Sequence, residues 1–262
     1  MTDLLAGRVV LVSGCGPGLG RAVAAGVLRR GGRAVLSDRL ERVHDIGREL
    51  DPAGERTLAT VVDVADAPDR ERLVADVEAR FGRLDAVVHV AAVDVSSGGL
   101  VDGRLDDWDE VAAVNVRGTL LLTAAAVPLL ERSGEGSVVF VGAGASRHPD
   151  ARFPMLTYAM SKGALVTAAW HLSKELGARG IRVNTVTPVY KWGPALEAAL
   201  RERAASTGVT LDEVTAPILA DIALGRFATD DDVADAIVFF CSPMSRSITG
   251  QTLTVDGGQL LS

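Results

Sequence analysis

Two residues four positions apart, Tyr158 and Lys162, give this 262-residue sequence its clearest capacity for proton transfer. Side chains at this spacing share one face of a helix. A free phenol, with a pKa near ~10, is a poor base at neutral pH. A cation about 4 Å away, at an effective dielectric constant of about 20, favours the phenolate by roughly 4 kcal/mol and brings that pKa close to neutrality. The pair could therefore serve as acid and base, although a Tyr and a Lys so spaced are more often surface neighbours.

A glycine-rich segment at residues 13–20 is the second candidate site. Its candidate ligand-binding residues are Gly14, Gly16, Pro17, Gly18, Leu19 and Gly20. Glycine allows a tight turn and a close approach of the backbone to a phosphate, and the N-terminus of a following helix attracts anions. The three glycines Gly14, Gly18 and Gly20 alone are a weak signal, but their position between the first strand and the first helix predicts that the turn binds a dinucleotide. A P-loop is excluded because no Gly-Lys-Ser/Thr follows.

Acidic residues close the next two predicted strands. Asp38 could accept hydrogen bonds from both hydroxyls of an adenosine ribose and would repel a 2′-phosphate. Arg39 acts in the opposite direction, because a guanidinium pairs with phosphate. The balance favours NAD over NADP. Asp63 and Val64 are placed to meet an adenine ring through the carboxylate and the next backbone N–H, although a turn or helix-capping role for Asp63 is equally consistent.

These residues lie at junctions between alternating strand and helix patterns. Short β-branched runs predict strands at residues 8–13, 33–37, 57–62, 86–90, 137–141, 182–187 and 252–255. Helical patterns cover residues 18–30, 39–50, 67–81, 105–130, 156–178 and 231–241. The alternation predicts an α/β fold, a Rossmann-type doubly wound and seven-stranded, mainly parallel sheet with helices on both faces. We expect residues 1–262 to form a single domain.

Residues 189–229 interrupt this alternation after the sixth strand. They carry helical patterns at residues 195–205 and 211–223 but no strand pattern. An insertion after the carboxyl end of a strand lies on the ligand side of an open α/β sheet. We therefore interpret the segment as a lid over the substrate, with a packing or oligomerisation element as the alternative.

Composition limits the classes of partner. Hydrophobic residues make up 48% of the chain and aromatic residues only 4%, which suits parallel strands under closely packed helices. The net charge is −7 and no basic cluster stands out, so nucleic acid is not an expected partner. The most apolar stretch, residues 119–130, contains a proline and is shorter than a membrane span, so no membrane is expected either.

Cysteine and histidine usage points to an intracellular protein without a metal. Cys15 and Cys241 are isolated, and the start of the chain lacks a signal-peptide pattern. These features predict a reducing, cytoplasmic setting. The four histidines form no pair at ligand spacing, so no metal site is predicted.

In their order, these motifs resemble the short-chain dehydrogenase/reductase (SDR) family over essentially the whole chain. The resemblance is carried by the glycine turn, Asp63-Val64, Asn115-Val116-Arg117-Gly118, Tyr158-Ala159-Met160-Ser161-Lys162 and the segments 182–188 and 248–258. It implies that Tyr158 exchanges the substrate proton while hydride passes to or from a nicotinamide. It also implies that Lys162 holds the nicotinamide ribose, that Asn115 orders a water in the proton relay, and that the chain forms a dimer or tetramer.

The chain departs from the family pattern at the reacting end. The family's catalytic Ser aligns with Ala143, and the nearest hydroxyl, on Ser146, is the candidate substitute. Loss of one polarising donor costs about 10² to 10³ in rate. The family's Asn-Asn-Ala-Gly reads His89-Val90-Ala91-Ala92 and its Pro-Gly reads Pro188-Val189. The aligned cofactor-binding candidates are Val90, Ala91, Ala92, Pro188 and Val189.

The predicted function is an NAD(H)-dependent oxidoreductase that interconverts a secondary alcohol and a ketone. Ala143 keeps open a second hypothesis, a cofactor-binding protein with little or no catalysis. Arg39 keeps open a third, an NADP-dependent ketone reductase.

Overall fold

The computed structural model describes residues 3–93, 98–101, 105–150 and 154–260. Seven strands form one sheet: β1 Val9–Ser13, β2 Arg33–Asp38, β3 Thr57–Val61, β4 Ala86–His89, β5 Ser137–Val141, β6 Arg182–Pro188 and β7 Thr252–Val255. Their order in the sheet is β3-β2-β1-β4-β5-β6-β7, and each neighbouring pair is parallel. The predicted fold class is therefore confirmed, with an all-parallel sheet where a mainly parallel one was expected.

Nine α-helices connect or flank these strands within the described residues. They are α1 Leu19–Arg29, α2 Arg42–Leu50, α3 Ala67–Phe81, α4 Trp108–Val111, α5 Thr119–Ser133, α6 Leu156–Gly177, α7 Pro194–Thr207, α8 Leu211–Ala220 and α9 Asp230–Cys241. Successive side chains of a strand point to opposite faces. Val10 and Val12 of β1 thus pack with α1, α2 and α9, whereas Val9 and Leu11 pack with α3, α5 and α6. Both faces of the sheet are covered, which explains why the central strands β1, β4 and β5 are apolar at all but one position each.

The segment predicted as one helix over residues 105–130 has a more complex structure. It begins with a 3₁₀ turn, Leu105–Asp107, continues as α4, passes through a π-helical turn, Ala112–Gly118, and ends as α5. The π-helical turn inserts extra backbone into the helix, a feature that is frequent at functional sites. Here it carries Asn115.

This helical segment is longer than the apolar stretch in the sequence suggested. Leu105–Ser133 spans 29 residues, and an 18-residue window within it has a mean hydropathy of 1.5, so the helix is long and apolar enough to cross a membrane by length and composition alone. Core helices of other proteins meet the same two criteria. In this structure Leu122, Leu129 and Leu130 of α5 are buried in the core between α3 and α6.

The predicted lid contains α7 and α8, which have a small apolar core of their own. Leu200, Ile218 and Ile222 are buried together there. The two ends of the segment meet at its base, where the Trp192 N–H donates to the Ala228 carbonyl over 2.8 Å. The two segments that connect α7 and α8 to the rest of the chain are therefore hydrogen-bonded to each other at Trp192 and Ala228, and we call this place the neck of the lid.

Candidate active site

The loops that follow the strands converge at the carboxyl edge of the sheet. The β1 loop is tied to its neighbours there, since Gly14 N donates to the Ser37 carbonyl and Ala91 N to the Ser13 carbonyl, both over 2.8 Å. The β5 loop is tied to β6 by a bond from Gly142 N to the Val186 carbonyl. Because ligands of open α/β sheets bind at this edge, the loops form one candidate site.

Two glycines of the first turn are required by backbone packing. Gly14 has a φ of +85°, and a Cβ there would lie 2.2 Å from Ala91 N. A Cβ on Gly20 would lie 2.3 Å from the Gly14 carbonyl oxygen. At Gly16 and Gly18 an added Cβ would be in ordinary van der Waals contact, 3.4 Å from Arg42 Nη2 and from Asp230 Oδ2 respectively. The turn leads directly into the N-terminus of α1, whose first N–H groups have no partners within the helix, an arrangement that fits a dinucleotide diphosphate.

Asp38 and a residue that the sequence did not single out, Arg42, flank this turn. A Cβ on Gly16 would lie 3.7 Å from Asp38 Oδ2 and 3.4 Å from Arg42 Nη2. Asp38 Oδ1 accepts a hydrogen bond from Leu40 N, so α2 begins at Arg42 and not at residue 39 as predicted. Arg39 is exposed and lies 3.9 Å from Glu110. The cation nearest to the glycine turn on this side is therefore Arg42 rather than Arg39.

Asp63 and Val64 are held by their own loop after β3. Asp63 Oδ1 accepts a hydrogen bond from Ala65 N over 2.8 Å, the turn role that the sequence left open. The Val64 carbonyl accepts one from Arg70 and lies 2.8 Å from where a Cβ on Gly118 would be. The adenine contact predicted for this pair stays a prediction.

Tyr158 and Lys162 lie on one face of α6, as their spacing predicts. Lys162 is 1% exposed, and its Nζ donates to the Val141 carbonyl at the end of β5 over 2.9 Å. The same Nζ lies 5.5 Å from the centre of the half-buried Tyr158 ring. A cation is thus held beside the phenol in the interior, where charges interact more strongly than in water.

Asn115 joins the β4 loop to α6. Its Oδ1 accepts from Val93 N over 2.7 Å, and its Nδ2 donates to the Val93 carbonyl and to Ser161 Oγ, each over 3.0 Å. Ser161 Oγ donates in turn to the Tyr158 carbonyl. Asn115 therefore positions the backbone that carries Tyr158, while its predicted part in a proton relay stays a prediction.

Ala143 and Ser146 lie in the loop after β5. Ser146 ends a 3₁₀ turn, Gly144–Ser146, and its Oγ donates to the Ala143 carbonyl over 2.8 Å. Its Cβ lies 3.8 Å from where a Cβ on Gly163 would be, so Ser146 rests against α6. The hydroxyl is thus near the helix that carries Tyr158 but engaged with its own turn.

His89, at the end of β4, is buried behind this loop. Its Nε2 lies 2.9 Å from Thr123 Oγ1, and that hydroxyl donates to the Thr119 carbonyl. With that hydroxyl donating to Thr119, the bonding pattern assigns the ring proton to Nε2, which donates to Thr123. Burial, and secondarily the charge of Lys162, lowers the pKa of His89 to about 3. His89 is a neutral, structural residue at neutral pH.

Comparisons with known proteins bear on this arrangement. Residues 14–259 match the family model described as enoyl-(acyl carrier protein) reductase. The chain is 34% identical over 257 residues to dehydrogenase/reductase SDR family member 4 from Sus scrofa, covering 97% of this chain and 88% of that protein. This chain belongs to the short-chain dehydrogenase/reductase family. The assignment makes it a member of an oxidoreductase family that uses nicotinamide cofactors.

Other SDR proteins are similar over nearly the full length. A 3-oxoacyl-[acyl-carrier-protein] reductase from Thermotoga maritima is 30% identical, with 98% of this chain and 99% of that protein covered. A solved structure of a short-chain dehydrogenase/reductase (glucose/ribitol dehydrogenase) from Brucella melitensis superimposes with a TM-score of 0.86 at 27% identity, covering 100% of both chains.

Most of the predicted SDR site residues meet at the carboxyl edge of the sheet. The glycine turn, Asp38, Asp63-Val64, Val90 to Ala92, Ser146 and Pro188-Val189 follow six successive strands, and α6 brings Tyr158 and Lys162 to the same edge. Their roles toward a cofactor stay predictions. Among the described residues, no group of three His, Cys, Asp or Glu side chains could hold a metal ion.

Two charged groups at this edge were not among the predicted site residues. Arg42 is the first residue of α2, and its spacing of four residues from Asp38 was its only signal in the sequence. Lys191 Nζ lies 2.6 Å from Asp230 Oδ1, and no local pattern connects residues so far apart in the chain. Next to Lys191 in the chain, Trp192 stacks on Phe227 with the ring centroids 5.4 Å apart, so Trp192 packs at the neck of the lid.

Proposed function

We propose that this protein is an NAD(H)-dependent oxidoreductase that interconverts a secondary alcohol and a ketone, with Tyr158 as general acid and base. One observation carries the proposal. A buried ammonium group, on Lys162, lies beside the Tyr158 ring at the same sheet edge as the glycine turn. A phenol so placed is suited to proton exchange near neutral pH.

Different residues of the chain would bind the cofactor and exchange the proton. The backbone around Gly16 and Gly18, together with Asp38, would hold the adenosine diphosphate part of the cofactor, and Lys162 the nicotinamide ribose. When bound, the nicotinamide supplies or accepts the hydride. Lys162 is oriented by the Val141 carbonyl, and its charge favours the phenolate form of Tyr158. Through its hydrogen bonds to Val93 and Ser161, Asn115 fixes the position of the Tyr158 backbone relative to the β4 loop.

The preference for NAD rests on Asp38, whose carboxylate would repel a 2′-phosphate. Arg42 on the other side of Gly16 supports the NADP alternative. Dissociation constants for NADH and NADPH, measured by quenching of tryptophan fluorescence, decide between them. Tighter binding of NADPH by the wild type would refute the NAD proposal. A matched Arg42→Gln variant is then expected to lose that preference.

Turnover tests the chemistry. Mixing the protein with NAD and a panel of secondary alcohols, or with NADH and ketones, is expected to show cofactor oxidation or reduction at 340 nm. Tyr158→Phe removes the exchangeable proton and leaves the ring, so turnover should fall by at least about 10²-fold while NADH binding is retained. Cofactor binding without turnover on any substrate, unchanged in Tyr158→Phe, would refute the enzyme proposal.

Ala143 favours a second candidate function, a cofactor-binding protein with weak or no catalysis. The residue aligned with the family's catalytic Ser has no hydroxyl, and Ser146 Oγ donates to the Ala143 carbonyl. If Ser146 supplies the missing donor, Ser146→Ala should lower kcat by about 10² or more. If it does not, Ser146→Ala leaves kcat unchanged and Ala143→Ser raises it.

We also propose that the protein is cytoplasmic, forms a dimer or tetramer, and acts on a small alcohol or ketone rather than on nucleic acid or a membrane. Exposed apolar side chains on the outer faces of α5 and α6, namely Leu121, Met160 and Trp170, support self-association. Light scattering coupled to size-exclusion chromatography measures the state directly, and a monomer at micromolar concentration would refute it.

A further inference from the structure

An ion pair stands between the neck of the lid and the glycine-rich turn. Lys191 Nζ lies 2.6 Å from Asp230 Oδ1, and both side chains are only about one-quarter exposed, at 24% and 25%. The contact is an ion pair without the alignment of a hydrogen bond. The other Asp230 oxygen lies 3.4 Å from where a Cβ on Gly18 would be, which places the pair directly beside the turn.

The neighbouring acidic residues of α9 have different partners. Asp232 caps the helix through Thr229 and pairs with Arg226 over 2.8 Å, and Asp231 Oδ1 accepts from Arg29 over 3.2 Å. Asp230 alone among these three approaches the glycine turn in the part of the chain that the structure describes. Asp230 lies in the first turn of α9 and in addition places its charge beside the glycine turn.

The electrostatics of this position are unfavourable for a carboxylate alone. The N-terminus of α1, next to Gly16 and Gly18, attracts anions, and a diphosphate bound at this turn would lie close to Asp230. Like charges at such short distances repel strongly where solvent is partly excluded. The Lys191 ammonium compensates the carboxylate and adds a cation at the same place.

We propose that Lys191 is a cofactor-binding residue whose ammonium group binds the diphosphate of the dinucleotide, and that Asp230 holds this ammonium at the glycine turn. The inference rests on the proposed cofactor site and adds a residue to it. Lys191 lies at the neck of the lid, since its neighbour Trp192 bonds to Ala228. Cofactor binding is thereby coupled to the base of the lid.

A double-mutant cycle separates direct binding from simple neutralisation of Asp230. The variants are Lys191→Met, Asp230→Asn and the two combined, with Lys174→Met on the exposed part of α6 as the matched control. The probes are ADP-ribose, which carries the diphosphate, and adenosine, which does not. Both are measured by competition against NADH fluorescence or by calorimetry.

We expect Lys191→Met to weaken ADP-ribose binding about tenfold or more, the scale of one lost hydrogen bond to a charged group. Adenosine binding should change less than about twofold, because only the diphosphate interacts with the charge. The loss for ADP-ribose should persist, several-fold, in the Asp230→Asn background. Lys191→Gln, which keeps polarity at the neck, guards against a folding defect and should show the same loss.

Three results would overturn the inference. Unchanged ADP-ribose binding in Lys191→Met and Lys191→Gln removes Lys191 from the site. A loss that disappears in the Asp230→Asn background shows that Lys191 only neutralises the carboxylate. An equal loss for adenosine shows damage to the fold. In all three cases the proposed function stands if the wild type binds and turns over cofactor, whereas failure of the wild type to bind ADP-ribose overturns both.

Discussion

Replacing His89 by glutamine is expected to remove a large part of the acid sensitivity of folding. His89 is 2% exposed, and its imidazole is wedged between Thr123 on α5 and the Phe140 ring, 5.4 Å away. Glutamine can keep a side-chain N–H near the position of Nε2 and so retain the bond to Thr123. Unlike histidine, it does not titrate.

The magnitude follows from the pKa of His89, which burial and then Lys162 lower from 6.5 to about 3. Below pH 6.5 the unfolded chain binds a proton at this position and the folded protein does not. The stability contributed by the neutral imidazole is thus complete above pH 6.5 and is lost as the pH falls toward 3. The loss is about 1.4 kcal/mol per pH unit, so it reaches about 2 kcal/mol at pH 5.

The assay is urea unfolding, followed by tryptophan fluorescence at a fixed protein concentration, at pH 7.5 and pH 5.0. Wild type should lose about 2 kcal/mol more than His89→Gln between these two values. Carboxylates titrate in both proteins, so their contribution cancels in the difference. His44→Gln, at a position where the side chain is 41% exposed rather than buried, is the matched control and should follow the wild type.

The reasoning is refuted if wild type and His89→Gln show the same pH dependence. That outcome means that the folded protein accepts a proton on His89 near its ordinary pKa. It would contradict both the burial of the ring and its neutral Nε2–H form.

Two further predictions concern the glycine turn and the π-helical turn. Gly82→Ala places a Cβ in open space at a φ of +70° and should cost about 1 kcal/mol of stability. At Gly14, where φ is +85°, an added Cβ would lie 2.2 Å from Ala91 N. Gly14→Ala should therefore cost about 1–3 kcal/mol more stability than Gly82→Ala in thermal unfolding, and it should abolish NADH binding in a titration. Equal stability costs for the two variants would disprove the close approach at Gly14. Asn115→Ala leaves Val93 N–H unpaired and should cost at least about 2 kcal/mol while lowering kcat more than NADH affinity. An Asn115→Ala variant as stable as the wild type would contradict the role of Asn115 in holding the β4 loop to α6.

Periodicity along the chain was sufficient to predict the strands of the sheet, whereas the candidate residues at its edge came from motifs and from the resemblance to the SDR family. Each strand was placed within two residues, because a buried parallel strand is a short run of apolar, β-branched residues between polar turns. The shared face of Tyr158 and Lys162 follows from helical spacing alone. The segment predicted as a lid, residues 189–229, breaks the strand–helix alternation and contains α7 and α8, and its role as a lid over the substrate stays a prediction.

Features that depend on contacts between distant segments were not accessible in this way. The predicted helix over residues 105–130 has the right periodicity, but the π-helical turn arises because Asn115 bonds to Val93 and Ser161, residues that only the fold brings together. The start of α2 was misplaced because Asp38 bonds to Leu40 and delays the helix. The ion pair between Lys191 and Asp230 likewise depends on the neck of the lid, where the two ends of a long insertion meet.

The departures from the SDR pattern are physically connected, which changes how they should be tested. His89 packs on Phe140, three residues before Ala143, and a Cβ on Gly144 would lie 2.8 Å from the side chain of Val189. His89 and Val189 thus pack against Phe140 and Gly144, which lie on the two sides of Ala143 in the chain. A hydroxyl returned at residue 143 lies between these two contacts in the β5 segment, so its effect on kcat need not be additive with changes at His89 or Val189. Comparing Ala143→Ser in the wild type and in the His89→Gln background measures this coupling and separates a missing donor from a rebuilt site.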